Sequence, residues 1–135
     1  MNPTVRNVLA VVAGVVVGWI VNMGLISMST SIIPPPEGVD PMDVESIKKF
    51  IHLYGPHHFV IPFLAHALGT LAGAFVAAKI AVSHHMKFAL GIGAFFLIGG
   101  IAAAVMLPAP LWFEAFDIIV SYIPMGWLGG KLAGK

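Results

Sequence analysis

Polar side chains that could carry chemistry lie inside long apolar stretches of this chain. Five of them are candidates for binding a ligand or an ion: Asn22, His66, Glu114, Asp117 and Ser121. An imidazole changes its charge near neutral pH, and a carboxylate can bind a proton or a cation. Ionisable groups at membrane depth are costly and often mark functional positions. This set predicts a site for a proton, a cation or a small solute.

The elements that would position these residues are membrane-spanning helices. The chain has 135 residues, of which 59% are hydrophobic and 10% charged, whereas a soluble domain is about 25% charged. About 20 apolar residues cross the hydrocarbon core of a bilayer, and four stretches reach that length. We predict an all-α, polytopic membrane protein that forms one domain. Its four transmembrane helices are predicted at about residues 7–32, 59–82, 87–107 and 111–133.

Helix geometry places the polar candidates at a common depth. With a rise of 1.5 Å per residue, His66 lies about 10 Å and Asp117 about 9 Å from the outer ends of their helices. Asn22 lies about 9 Å from the outer end of the first helix by the same rise, and Glu114 is about one turn shallower than Asp117. We therefore expect the site in the outer third of the bilayer. The alternative is a hydrogen-bond network that only holds the helices together.

The segment between the first two predicted spans contains a further helix. Pro34, Pro35 and Pro36 end the first span, and Asp40 is the predicted N-cap of the next helix, with Pro41 at its first position. Apolar residues then recur at helical spacing at Val44, Ile47, Ile51 and Tyr54. We predict a short amphipathic surface helix at about residues 41–54, which lies on the membrane or caps the bundle.

Basic residues near helix ends predict the orientation in the membrane. If the four helices alternate, five Lys and Arg residues fall on the side of the termini, namely Arg6, Lys79, Lys87, Lys131 and Lys135. The other side has only Lys48 and Lys49, together with all six acidic residues. We therefore predict that both termini are cytoplasmic.

Two features of the fourth predicted helix bear on its packing. Gly126 and Gly130 lie opposite Asp117 on an ideal helix, and this second face suggests contact with another copy of the chain. We therefore expect a homo-oligomer or a part of a larger membrane complex. Pro124 removes a backbone hydrogen bond and predicts a kink.

A metal-binding protein is a third interpretation of the sequence. His57 and His58 lie in the outer segment, and imidazole with carboxylate suits Zn²⁺, although the spacing matches no ligand motif. The chain has no cysteine and no spacing typical of a catalytic triad, a zinc protease or a phosphate-binding loop, so we predict neither an enzyme nor a cofactor. The net charge of +1 gives no basis for nucleic-acid binding.

Three stretches carry a resemblance to a known group of proteins: residues 34–40 (PPPEGVD), 62–70 (PFLAHALGT) and 122–127 (YIPMGW). Through them the whole chain resembles small four-helix bacterial inner-membrane proteins that have no assigned activity. The resemblance implies a cell inner (plasma) membrane and no site residues.

Two functions follow from the residues as hypotheses. The first is a transporter- or channel-like protein, and the alternative is an accessory or assembly subunit of a larger membrane complex.

Overall fold

The computed structural model describes residues 1–107 and 109–134, and these residues form helices and no strand. In this part of the chain four helical stretches are long and apolar enough to cross a membrane: Pro3–Ile32, Pro56–Ile80, His85–Met106 and Leu111–Leu132. This confirms the predicted all-α fold with four spanning helices. Pro108, in the predicted turn before the fourth span, and Lys135, one of the basic residues used for orientation, lie outside the described residues.

Within the described residues six α-helices follow one another: α1 Pro3–Ile32, α2 Val44–Phe50, α3 Val60–Ile80, α4 His85–Met106, α5 Leu111–Ser121 and α6 Ile123–Leu132. Short 3-10 turns at Ile51–Leu53 and Pro56–Phe59 connect α2 to α3. The fourth span is thus broken in two at Tyr122, two residues before Pro124. A proline has no amide hydrogen and cannot bond the carbonyl four residues earlier, so this break is the kink that the sequence predicts.

The spans alternate in direction. At the start of α1, the Nε–H of Arg6 donates to the carbonyl oxygen of Ile80 at 2.7 Å, and Asn7 Oδ1 accepts from the amide of Val82 at 2.9 Å. The first turns of α1 therefore lie beside the end of α3. We call this end of the bundle, where α1 begins and α6 ends, the termini face. The opposite end, which carries residues 34–58, is called the segment face.

Glycines bring α1 and α3 into backbone contact. A Cβ atom added to Gly73 would lie 2.5 Å from the carbonyl oxygen of Gly14, and one added to Gly69 would lie 2.8 Å from that of Gly18. Real Cβ atoms do not come so close to a carbonyl oxygen, so the two helices keep this separation only with glycine. Such close approach is how membrane helices associate, because lipid offers no hydrophobic drive between them.

The glycines of α6 are also occupied within the chain. A Cβ atom added to Gly126 would lie 3.1 Å from the carbonyl oxygen of Ala89 in α4, and one added to Gly129 would lie 2.6 Å from that of Leu71 in α3. Gly130 packs against Met86 and Ala89 of α4 as well. The glycine face that suggested contact with another copy is therefore filled by α3 and α4. Because the span is broken at Tyr122, α5 and α6 need not present opposite faces.

The packing is tightest near the termini face. A buried cluster of small side chains lies there: Ala74, Ala77, Ala78, Ala89, Ile92 and Ala133. Its members come from α3, α4 and the end of α6, and α3 contacts every other spanning helix. Towards the segment face the same bundle encloses a cavity instead.

The segment helix begins later than the sequence predicts. Asp43 is the N-cap of α2, and its side chain accepts a hydrogen bond from the amide of Glu45 at 3.0 Å. Asp40 instead accepts from the amide of Met42 at 3.0 Å, within a turn that contains Pro41. The prediction of Asp40 as the N-cap was therefore wrong. Both carboxylates accept a hydrogen bond from the amide two residues later in the sequence. They differ in the backbone that follows, which is helical after Asp43 and forms a turn after Asp40.

We predict that Gly73→Ala destabilises the bundle, because the added methyl group would meet the Gly14 carbonyl. The expected cost is about 1–3 kcal/mol in the free energy of unfolding, as for other overpacked contacts. Unfolding of the purified chain by SDS in mixed micelles would measure it. Gly91→Ala is the matched control, since a Cβ there has no neighbour within 4 Å and alanine favours the helix. Equal stabilities of the two variants would contradict the close contact of α1 with α3.

Candidate functional site

A cavity of about 320 Å³ lies between α1, α3, α4 and α5 near the segment face. Most of the residues that line it are apolar, and the segment contributes Ile47, Ile51 and Tyr54. Three of the four residues of the predicted apolar stripe thus face this cavity, whereas Val44 is 38% exposed. Burial raises the pKa of the Tyr54 phenol above its ordinary value. A mainly apolar cavity with a few polar groups is the usual form of a small-molecule site.

His66 and Asp117 meet at the wall of this cavity. His66 Nδ1 and Asp117 Oδ2 lie 2.8 Å apart, and with the carboxylate ionised the Nδ1–H donates to it. Each residue is the seventh of its helix, about 9 Å from the helix start. Because α3 and α5 both begin at the segment face, equal depth along the two helices brings the side chains together. The structure joins these two of the predicted site residues directly.

Two further hydroxyl groups hold the Asp117 carboxylate. Ser121, one helical turn later in α5, donates from Oγ to Asp117 Oδ1 at 2.8 Å. The hydroxyl of Tyr122 makes a longer contact of 3.5 Å with Oδ2. Asp117 is only 6% exposed, and Ser121 is fully buried. Each carboxylate oxygen therefore has a donor within the chain, which offsets part of the cost of burying the group.

Tyr122 belongs to the site although the five predicted binding residues do not include it. It stands at the helix break, with its ring roughly parallel to that of His66 and the ring centroids 6.0 Å apart. A Cβ atom added to Gly100 of α4 would collide with the Tyr122 ring, so this glycine leaves the space that the ring fills. In the sequence Tyr122 follows Ser121 as a further polar side chain of the fourth span, and Pro124 two residues later marks the break. Thr70 is also part of the surroundings, since its hydroxyl donates to the His66 carbonyl at 2.8 Å.

Asn22 is not joined to the pair by a hydrogen bond. It lies on the contact between α1 and α3, where its Cβ is 3.1 Å from the Cβ position of Gly69. Its Nδ2 is 3.8 Å from the sulfur of Met23, and its buried Oδ1 has no hydrogen-bond partner in residues 1–107 and 109–134. The geometry therefore separates Asn22 from the cavity site that includes His66 and Asp117.

Glu114 lines the same cavity one turn before Asp117 on α5. It is partly buried, and its carboxylate makes no hydrogen bond or ion pair with any described residue. Glu114 also lines a neighbouring cavity of about 430 Å³, together with Lys48 and His52. A carboxylate without a partner near an apolar cavity differs sharply from the fully hydrogen-bonded Asp117.

The two histidines proposed for metal binding, His57 and His58, make local contacts with each other and with the turn before α3. The rings of His57 and His58 lie with their centroids 3.9 Å apart and their planes tilted by 38°, and His58 Nδ1 accepts from the amide of Gly55 at 2.9 Å. This bond closes the 3-10 turn that leads into α3 and occupies one of the two nitrogens of His58. The part of the chain that the structure describes contains no group of three or more His, Cys, Asp or Glu residues that could hold a metal ion.

We predict that His66→Leu lowers the free energy of unfolding by about 3 kcal/mol, because it leaves the buried Asp117 carboxylate without its imidazole partner. The double variant His66→Leu/Asp117→Leu should recover most of this loss, since no unpaired charge remains. SDS unfolding of the single and double variants gives the coupling free energy. Additive effects of the two substitutions would show that the side chains do not interact.

No protein-family model matches the chain, and no curated protein or solved structure is significantly similar to it. The resemblance to small four-helix inner-membrane proteins stays a prediction from the sequence.

Proposed function

We propose that this protein is a small membrane carrier that binds a solute in the cavity beside His66 and Asp117 and moves it across the bilayer. The observation that supports this most is the meeting of an apolar cavity of about 320 Å³ with a buried ionisable pair. A pair with only a structural role needs no cavity beside it. Ionisable residues at membrane depth commonly mark substrate or ion pathways.

The distribution of packing fits a carrier in one of its two states. The cavity lies towards the segment face, and the small-residue cluster of α3, α4 and α6 closes the bundle towards the termini face. A carrier opens its site to one side at a time, by rocking or gating one part of the bundle against another. In this proposal the described state is the one that faces the segment side.

The broken fourth span supplies a moving part. α5 carries Asp117 and Ser121, whereas α6 is packed through its glycines against α3 and α4. Interrupted helices are common at the binding sites of transporters, where a half-helix can move independently of the other half. We place the change of state at Tyr122, between α5 and α6.

We also propose that the termini face is cytoplasmic and that the membrane is a bacterial inner membrane. Arg6, Lys79, Lys87 and Lys131 lie towards that face, and the segment face carries Lys48 and Lys49. An excess of Lys and Arg close to the helix ends favours the cytoplasmic side.

Because the chain has no cysteine, single cysteines can report this orientation directly. In intact bacterial cells we expect a membrane-impermeant maleimide to label Met42→Cys, at a position that is 90% exposed in the segment. Ser83→Cys, in the exposed turn between α3 and α4, should react only in inverted membrane vesicles. The reverse pattern would contradict the proposed orientation.

The carrier proposal predicts access to the site from both faces. Ala103→Cys, on the cavity wall, should react with the impermeant maleimide from the segment face. Thr70 lies one turn beyond His66 and is only 1% exposed. Thr70→Cys should therefore react slowly from the termini face, because it becomes accessible only when the carrier opens to that face. Mass spectrometry of vesicles of defined orientation would measure both rates.

Ala10→Cys is the control for general loosening, since Ala10 is fully buried in α1 and should stay protected. If Thr70→Cys is protected from the termini face for as long as Ala10→Cys, the carrier proposal is wrong. Such protection would favour a polar network that only fixes the fold or binds a partner subunit.

A further inference from the structure

We infer that the cavity binds an organic cation, namely a compact and mainly apolar molecule that carries a tertiary or quaternary ammonium group. This inference rests on the proposed function, because it names the substrate class of the same cavity. It is carried by three features of the lining: its charges, its aromatic walls and its shortage of oxygen ligands.

The charges that line the cavity favour a cation. Glu114 and Asp117 are carboxylates, and the described lining residues include no Lys or Arg. Two imidazoles are present, but His66 Nδ1 is bonded to Asp117 and His58 Nδ1 to the Gly55 amide. An anion would therefore enter a space with two carboxylates and no permanent positive charge. A cation would find Glu114 without a partner among the described residues.

Glu114 is the residue that we assign to the ammonium group. It stands one turn before Asp117 on the same side of α5, where a partly buried carboxylate is costly unless it is paired. Lys48, which lines the neighbouring cavity together with Glu114, does not pair with it. Lys48 Nζ lies 3.7 Å from Glu45, and its side chain is 52% exposed. An ammonium ligand would supply the missing positive charge.

Aromatic rings form part of the wall beside Glu114. Phe59 and Phe113 are each 8% exposed and stack with ring centroids 4.7 Å apart, and Tyr54 lies 5.9 Å from Phe59. All three residues line the cavity. The faces of aromatic rings attract cations, and quaternary ammonium ligands are commonly bound by such rings.

The same lining does not suit a metal ion. Ca²⁺ takes six to eight oxygen ligands and Mg²⁺ holds about six, most of them water. Here the carboxylate of Asp117 is already hydrogen-bonded to His66 and Ser121, and most of the other lining residues are apolar. An organic cation needs no shell of oxygen atoms, since its alkyl groups contact the apolar wall directly. The donor set therefore selects the organic cation.

Three probes of nearly equal size test the inference on the full chain in lipid nanodiscs. They are benzyltrimethylammonium, its uncharged carbon analogue neopentylbenzene and the anion phenylmethanesulfonate. Saturable binding is measured by calorimetry against empty nanodiscs. We expect the cation to bind about tenfold or more tightly than either of the other two.

Variants then test the assigned carboxylate. Glu114→Gln should weaken binding of the cation about tenfold and leave the binding of neopentylbenzene unchanged. Glu37→Gln is the matched control, because Glu37 is an exposed carboxylate of the segment outside the cavity lining. It should bind all three probes like the unmodified chain. Cation binding that Glu114→Gln does not weaken would overturn the role of Glu114.

The preference among the probes does not depend on the folding of any variant. If neopentylbenzene binds as tightly as the cation, the inferred substrate class is wrong, whereas the cavity remains a binding site. If none of the probes binds, the inference is also wrong. The fate of the carrier proposal is then read separately from the labelling of Thr70→Cys, which needs no ligand.

Discussion

Apolar side chains gain nothing by meeting each other inside a bilayer, so this bundle depends on backbones that come close enough for van der Waals contact. The helix α3 provides most of these close contacts, because it packs against every other spanning helix. Gly69 and Gly73 of α3 pack against the backbone of α1. Gly129 of α6 packs against Leu71 and Ala74 of α3. Where small residues line these contacts the helices close tightly, as they do near the termini face. Towards the segment face, where α3 and α5 carry larger and polar residues and α4 contributes Gly100, Ala103 and Ala104, a cavity remains.

Two carboxylates of α5 line this cavity, and they differ in their hydrogen bonding. A carboxylate in the membrane must be hydrogen-bonded, and Asp117 obtains its donors from His66 and Ser121. A binding site, in contrast, needs a polar group that is still available. Glu114, one turn away and unpaired among the described residues, meets this second need. In the proposed site the two carboxylates of α5 therefore have different roles: Asp117 is hydrogen-bonded within the bundle, and Glu114 is left to bind the ligand.

The sequence was sufficient for much of this arrangement. Length and hydropathy predict four spans, and a constant rise per residue predicts that His66 and Asp117 lie at one depth. The four-residue spacing also places Ser121 beside Asp117. What could not be predicted depends on how helices are rotated about their axes. Asn22 has the right depth but lies on the contact between α1 and α3.

The break at Tyr122 has a similar effect, because periodicity assumes a continuous helix. Gly126 and Gly130 were assigned to a face opposite Asp117, and in the structure both pack inside the bundle. The break also gives the two halves of the fourth span different packing. Its second half packs through glycines against α3 and α4, whereas its first half is an eleven-residue helix that contacts α3 through the His66–Asp117 pair and through the rings of Phe63 and Phe116. Side chains on α5 can therefore line the cavity without any change in the glycine contacts through which α6 closes the bundle near the termini face.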